Sequence, residues 1–185
     1  MKFRIGVMGS STEKGYVSIP SNVKKLSYQI GEEIAKNDCI LVNGACPGVP
    51  LEASKGARKH KGLVIGITPA ASLQEHTKKY KFPHKDFDLL IYTGFGYMGR
   101  NLINVANSDA IIVIKGSAGT LNEFSLAYDE GMVVGILKGS GGMADFIPKL
   151  EKQITRKHTG AKIITDSNPK KLVEKVIKEL KKRKK

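Results

Sequence analysis

The sequence predicts an α/β fold, a Rossmann-like doubly wound parallel sheet with helices on both faces. Short β-branched runs alternate with helical patterns from end to end. Most of those runs are continuously apolar, as strands buried on both faces of a parallel sheet must be. Seven such runs in 185 residues are too few for an eight-stranded barrel.

The strand runs are Phe3–Met8, Cys39–Val42, Leu63–Thr68, Leu89–Tyr92, Ala110–Ile114, Met132–Leu137 and Lys162–Thr165. After the first strand, Val23, Leu26, Ile30 and Ile34 recur at helical spacing, with Pro20-Ser21 as a start signal. The last helix repeats the pattern with Leu172, Val173, Val176, Ile177 and Leu180. Asn168-Pro169 supplies its N-cap and first-turn proline. No linker, internal repeat or low-complexity segment divides the chain, so residues 1–185 are expected to form a single α/β domain. A basic helical tail occupies about residues 168–185.

Composition narrows the function classes. Hydrophobic residues make up 41% and charged residues 26%, which excludes a wholly disordered chain. No apolar run approaches the roughly 20 residues that span a bilayer. Met1 leads straight into a core strand without a signal-peptide core, so a cytoplasmic protein is expected. Cys39 and Cys46 are too few for a disulfide framework, and the four histidines lack metal-ligand spacing, so no metal site is expected. The net charge is +14, and +7 of it lies in the last 18 residues, from nine Lys/Arg and two Glu. Such a tail either attracts polyanions or is a solvated helix end with its cations at the negative end of the dipole.

Open parallel sheets bind ligands beyond the carboxyl ends of their strands. The first strand runs into Gly9-Ser10-Ser11-Thr12, where a glycine permits close approach and hydroxyls donate to phosphate or ribose. A plain strand-to-helix turn is the alternative. No third glycine completes a dinucleotide fingerprint. The second strand leads into Asn43-Gly44-Ala45-Cys46-Pro47-Gly48-Val49-Pro50, a rigid turn whose amides suit an anion. Cys46 there is either reactive or an inert small residue.

The fifth strand leads into Lys115-Gly116-Ser117-Ala118-Gly119-Thr120-Leu121-Asn122-Glu123. Its free N–H groups at a helix start form an anion site, and the Thr120 hydroxyl adds a donor. It lacks the Gly-Lys-Ser/Thr ending of a P-loop. Glu123 is expected in the first helical turn, either in a site or in a capping box with Thr120. The fourth strand leads into Thr93-Gly94-Phe95-Gly96-Tyr97-Met98-Gly99-Arg100-Asn101. Arg100 near a helix start opposes the dipole, which points to an anionic ligand or to a carboxylate such as Glu123; the alternative is a surface Arg. Phe95 and Tyr97 are either a stacking platform or core.

Together these stretches resemble the Lonely Guy family of nucleotide-binding proteins, long mislabelled lysine decarboxylases. The carriers are Arg100-Asn101, Ser108-Asp109-Ala110 and the turn Gly116–Glu123, with Arg100 nine residues before Asp109 and 23 before Glu123. Gly6-Val7-Met8-Gly9-Ser10-Ser11 and the stretch Gly44–Ala57 resemble the family's first two loops. The resemblance covers about residues 3–150. It implies hydrolysis of the N-glycosidic bond of a purine ribonucleoside 5'-monophosphate such as AMP. Arg100 and Glu123 would then be catalytic, and Gly9, Ser10, Ser11, Gly44, Gly48, Asn101, Gly116, Ser117, Ala118, Gly119 and Thr120 would hold ligand and phosphate. The sequence departs from the hydrolases: Lys115 replaces Pro, Ser117 replaces the second Gly, Asn122 replaces a common Glu and Asn101 replaces Lys. The Arg-Asn pair is similar to a side branch that includes molybdenum cofactor carrier proteins. That branch implies a non-catalytic carrier or sensor of a nucleotide or phosphorylated pterin. No cofactor is expected to be required. The family implies a homodimer or larger homo-oligomer; neither a membrane nor a nucleic-acid partner is expected.

Overall fold

The computed structural model describes residues 1–12, 18–153 and 159–184. Among them lie strands β1 (Arg4–Gly9), β2 (Ile40–Asn43), β3 (Val64–Thr68), β4 (Leu89–Tyr92), β5 (Ala110–Ile114), β6 (Val133–Leu137) and β7 (Lys162–Asp166). The helices are α1 (Ser21–Lys36), α2 (Val49–Lys59), α3 (Gly96–Ala106), α4 (Ala118–Asp129), α5 (Gly142–Leu150) and α6 (Pro169–Arg183). All seven apolar runs are strands, with ends shifted by at most one residue. A π-helical turn over Glu75–Lys79, α5 and a 3-10 turn over Glu151–Gln153 are elements without a sequence expectation.

One parallel sheet has the order β4-β3-β2-β1-β5-β6-β7. The order in which successive strands are added reverses between β1 and β5, which makes their carboxyl ends the topological switch point. The two faces carry separate cores. Ile112 and Ile114 of β5 pack with Val23, Ile30 and Ile34 of α1, Val49 and Ala53 of α2, and Leu172 and Val176 of α6. Ile111 and Val113, pointing the other way, pack with Met8 and with Val105 of α3, Phe124 of α4 and Ile147 of α5. The alternation along one strand puts helices on both faces.

Two local devices fix the switch point. Asp109, just before β5, accepts bonds from Arg4 N, Nε and Nη2 at 2.7, 3.3 and 2.9 Å. Burial raises the Asp109 pKa, but the Arg4 bonds outweigh it and hold the carboxyl below its usual range. This clamp pins the amino ends of β1 and β5 in the register that pairs Gly9 with Ile114 at the other end. Asp109 is therefore a structural residue at the far edge from the switch point. At Gly9 a side chain would collide with the Ile114 carbonyl, so the close approach of the two loops requires glycine.

The basic tail is the outer face of α6. Leu172, Val173, Val176, Ile177 and Leu180 are buried, and the lysines between them are exposed. Asn168 caps the helix by accepting from Lys171 N–H at 3.0 Å. No helix among the described residues is long and apolar enough to cross a membrane.

Candidate functional site

A cavity of about 200 Å³ opens at the switch point between the loops after β1, β2 and β5 and the start of α3. Of the residues singled out in the sequence, Gly9, Ser11, Gly44, Arg100, Asn101, Ser117, Gly119, Thr120 and Glu123 line it. The other four are not among its lining residues. Ser10 ties two loops together, its Oγ accepting from the Gly116 N–H at 3.0 Å. Gly48 pairs with Ser11 in an isolated antiparallel bridge and begins α2. Gly116 has φ of 87° and carries the chain into the turn, and Ala118 opens α4.

The start of α4 is uncapped. Ser117 is the N-cap residue in extended conformation, makes no side-chain cap bond, and no acid stands in the first turn. The first N–H groups of a helix have no intrahelical partner, and Ser117, Gly119 and Thr120 at this helix start line the cavity. Lys115 and Ala45, in the loops after β5 and β2, hold φ of 52° and 54°. Such conformations cost about 1–3 kcal/mol each and recur where a loop is shaped for a ligand.

Arg100 and Glu123 meet inside the protein. Their exposures are 7% and 6%, and Arg100 Nη1 stands 3.6 Å from Glu123 Oε1. The guanidinium lies on Gly44, where a Cβ would collide with it, so the β2 loop and α3 are fitted to each other. Arg100 sits in the second turn of α3, not at its exposed start, and is not a surface Arg. Glu123 also lies a turn later than expected. With Ser117 as N-cap, Thr120 is the third residue of α4 and Glu123 the sixth, so no capping box forms.

Burial pushes the Glu123 pKa up to about 7, against the opposing pull of Arg100 and of the Asn104 amide. Both contacts are long: Asn104 Nδ2 is 3.5 Å from Oε1. Among the described residues, Arg100 Nε and Asn104 Oδ1 are the buried side-chain polar atoms without a hydrogen-bond partner. A buried ion pair held loosely and ringed by unsatisfied polar atoms is poor design for stability. Such a pair in a cleft is a candidate functional site.

Asn101 donates to Asn122 Oδ1 at 3.1 Å, linking α3 to α4 at the cavity wall. Tyr97 and Met98 also line the cavity, as do Cys46, Pro50, Val7 and Met8. Phe95 is 70% exposed and does not belong to the core. Tyr97 meets the Tyr80 ring edge-on at 5.6 Å. The helical spacing 97, 100, 101, 104 places these α3 residues on one face, and projecting α3 from Arg100 would have found Tyr97 and Asn104. No group of His, Cys, Asp and Glu suited to a metal ion occurs among the described residues.

Comparison with known proteins agrees with the fold and with the resemblance. A protein of Archaeoglobus fulgidus with no assigned function is 33% identical over 135 residues, covering 73% of this chain and 80% of its own. The crystal structure of the structural-genomics target TM1055 superposes with a TM-score of 0.81 at 24% identity, over 97% of this chain and 99% of that one. The structure of the molybdenum cofactor binding protein from Rippkaea orientalis superposes at 0.74 with 28% identity, over 100% of this chain and 99% of that one. The family model described as the SLOG cluster4 family matches residues 2–173, and the chain belongs to that family.

Proposed function

We propose that the switch-point cavity binds a phosphorylated, nucleotide-like small molecule and hydrolyses the N-glycosidic bond of a purine ribonucleoside 5'-monophosphate. The observation that carries this reading is the uncapped start of α4 facing the same cavity as the buried Arg100–Glu123 pair. The phosphate would sit on the amides of Ser117–Thr120, the Gly116 N–H being taken by Ser10 Oγ. Arg100 would pair with an anionic ligand group or orient the carboxylate. Glu123, with a pKa of about 7, exchanges its proton near neutral pH. In its ionised form it would take a proton from water as the water oxygen bonds to the sugar C1′. The C–N bond breaks, its electron pair leaves with the base, and the base takes up a proton from solvent or from the Glu123 carboxyl.

A second reading has its own support. The chain is similar over its whole length to the Rippkaea molybdenum cofactor binding protein, and Asn101 is bonded to Asn122 where hydrolases of the resembled family carry Lys. The same cavity would then carry a phosphorylated pterin or a nucleotide without cleaving it.

The deciding experiment incubates the purified protein with AMP and other nucleoside monophosphates. Released base is read by chromatography and binding by thermal shift in the same samples. Released base that falls on the order of 10²-fold or more in Glu123→Ala and in Arg100→Ala supports hydrolysis. A thermal shift without released base supports the carrier. Unchanged turnover in both variants overturns the assigned mechanism.

We also propose a homo-oligomer formed across α3. Phe95, Met98 and Leu102 are 70%, 63% and 55% exposed and stand on one stripe of that helix. Leu89 and Ile91 of the edge strand β4 are also exposed. An apolar stripe of this kind marks an interface, and Met98 joins it to the cavity. Leu102→Glu should convert an oligomer to monomer in light scattering; a wild-type monomer would end the proposal.

A further inference from the structure

We infer that Asn104 is a positioning residue: it fixes the Glu123 carboxyl through Oε1, favours its ionised form, and leaves Oε2 as the oxygen that exchanges the proton in the cavity. The inference deepens the proposed reading and rests on Glu123 being the working carboxyl of the cavity.

Asn104 is fully buried on α3, one turn beyond Arg100. Its side chain reaches Met8 of the core on this face as well as Glu123. Its Nδ2 is shared between Glu123 Oε1 at 3.5 Å and the Met8 sulfur at 3.4 Å. Its Oδ1 has no partner. A buried amide with an orphan oxygen costs about 1–3 kcal/mol, and a leucine of similar volume would fill the space without that cost. Stability alone therefore does not explain an amide here. What the amide does supply is a donor aimed at one carboxylate oxygen.

Arg100 Nη1 approaches the same oxygen, at 3.6 Å. With both donors on Oε1, a proton on that atom would face N–H groups, so the neutral carboxyl must carry its proton on Oε2. A donor to the carboxylate stabilises the charged form. Asn104 and Arg100 thus act together against the desolvation that burial imposes on Glu123. The other titratable groups on the cavity wall are Tyr97 from α3 and Cys46 from the loop after β2; β1 presents the uncharged Val7 and Met8.

The test is a titration of the Glu123 side-chain carboxyl by carbon-13 NMR in the full chain without ligand, with Glu123→Gln as the assignment control. In Asn104→Ala the midpoint should move to higher pH, with the ionisation constant falling about three- to tenfold. Asn104→Ser, which retains a hydroxyl donor, should fall between Ala and wild type. In wild-type protein the Asn104 side-chain amide protons should titrate with the same midpoint as Glu123, a measurement that needs no variant. An unmoved midpoint in a folded variant, or amide protons indifferent to pH, overturns the positioning role. The titration needs no nucleotide, so the two readings fail separately. A shifted midpoint in a protein that binds no nucleoside monophosphate keeps the positioning role and removes the ligand reading. An unshifted midpoint in a protein that binds AMP does the reverse.

Discussion

Two glycine-rich turns stand side by side at the carboxyl edge of the sheet, and only one is open. The turn after β5, Gly116-Ser117-Ala118-Gly119, starts α4 with no side-chain cap and no acid in its first turn. The turn after β6, Gly139-Ser140-Gly141-Gly142, starts α5 under its own carboxylate. Asp145 Oδ1 accepts from Gly139 N–H at 2.6 Å and Oδ2 accepts from Gly141 N–H at 3.0 Å. Ser140 is turned inward, where its Oγ donates to Leu137 O and accepts from Lys115 N–H. Glycine content is common to both turns. Two things separate them: Asp145 folds back onto its turn while Glu123 points across to Arg100, and Met143 and Ala144 N–H of α5 donate to Gly116 O and Lys115 O at 3.2 and 2.8 Å. The open turn is where the proposed phosphate would bind.

The largest expected effect comes from closing the open turn. Ser117→Asp places a carboxylate at the N-cap of α4, where it accepts from the first-turn amides. Titration calorimetry with AMP should show affinity reduced on the order of 100-fold, since the site loses its donors and gains a like charge. The same variant should unfold at higher temperature, because a capped helix start is worth about 1 kcal/mol. Undiminished affinity would mean that the anion of the ligand sits elsewhere in the cavity.

A smaller effect separates the buried carboxyl from the exposed ones. Glu123 has a pKa of about 7 in the folded protein, above the ordinary value of 4.5. Between these values the folded state holds a proton that the unfolded state releases. The stabilising contribution is therefore complete at low pH and is lost as pH rises through about 7. Glu123→Gln should remove this dependence and be more stable than wild type at pH 8, by on the order of 2–3 kcal/mol in urea unfolding. Equal stability of the two proteins at pH 8 would mean that Glu123 is not desolvated.

The contrast between the turns also explains what could be read from the sequence. The strands were legible because β1, β5 and β6 are buried on both faces and so carry nearly unbroken apolar runs. The glycine turns and Arg100 were legible as loop and helix-start residues that plain packing does not explain. The turn that holds Glu123 was not, because the spacing from Thr120 mimics a capping box while the true N-cap is Ser117. Asn104 carried one signal, its helical spacing from Arg100. By type an Asn on an amphipathic helix reads as solvent-facing, and it is the meeting of α3 with β1 and α4 that buries it. The exposed stripe of Phe95, Met98 and Leu102 likewise has the period of a core face, and only the fold shows which way it points.

The smallest expected effect opens the closed turn. Asp145→Ala removes the acceptor for Gly139 and Gly141 and leaves two N–H groups to water. These bonds are exposed, so water replaces them in part, and the loss should be about 1–2 kcal/mol, at the scale of a helix cap. Affinity for AMP should not change, because none of the turn's residues lines the cavity. The variant frees the Gly139 and Gly141 N–H groups, while Met143 and Ala144 N–H of α5 stay bonded to Gly116 O and Lys115 O. If inorganic phosphate then raises the melting temperature of Asp145→Ala more than that of wild type, closure by Asp145 is what keeps anions off this turn. If phosphate acts equally on both proteins, two freed glycine N–H groups are not sufficient for an anion site. The Arg100–Glu123 side of the α4 cavity would then supply most of the recognition.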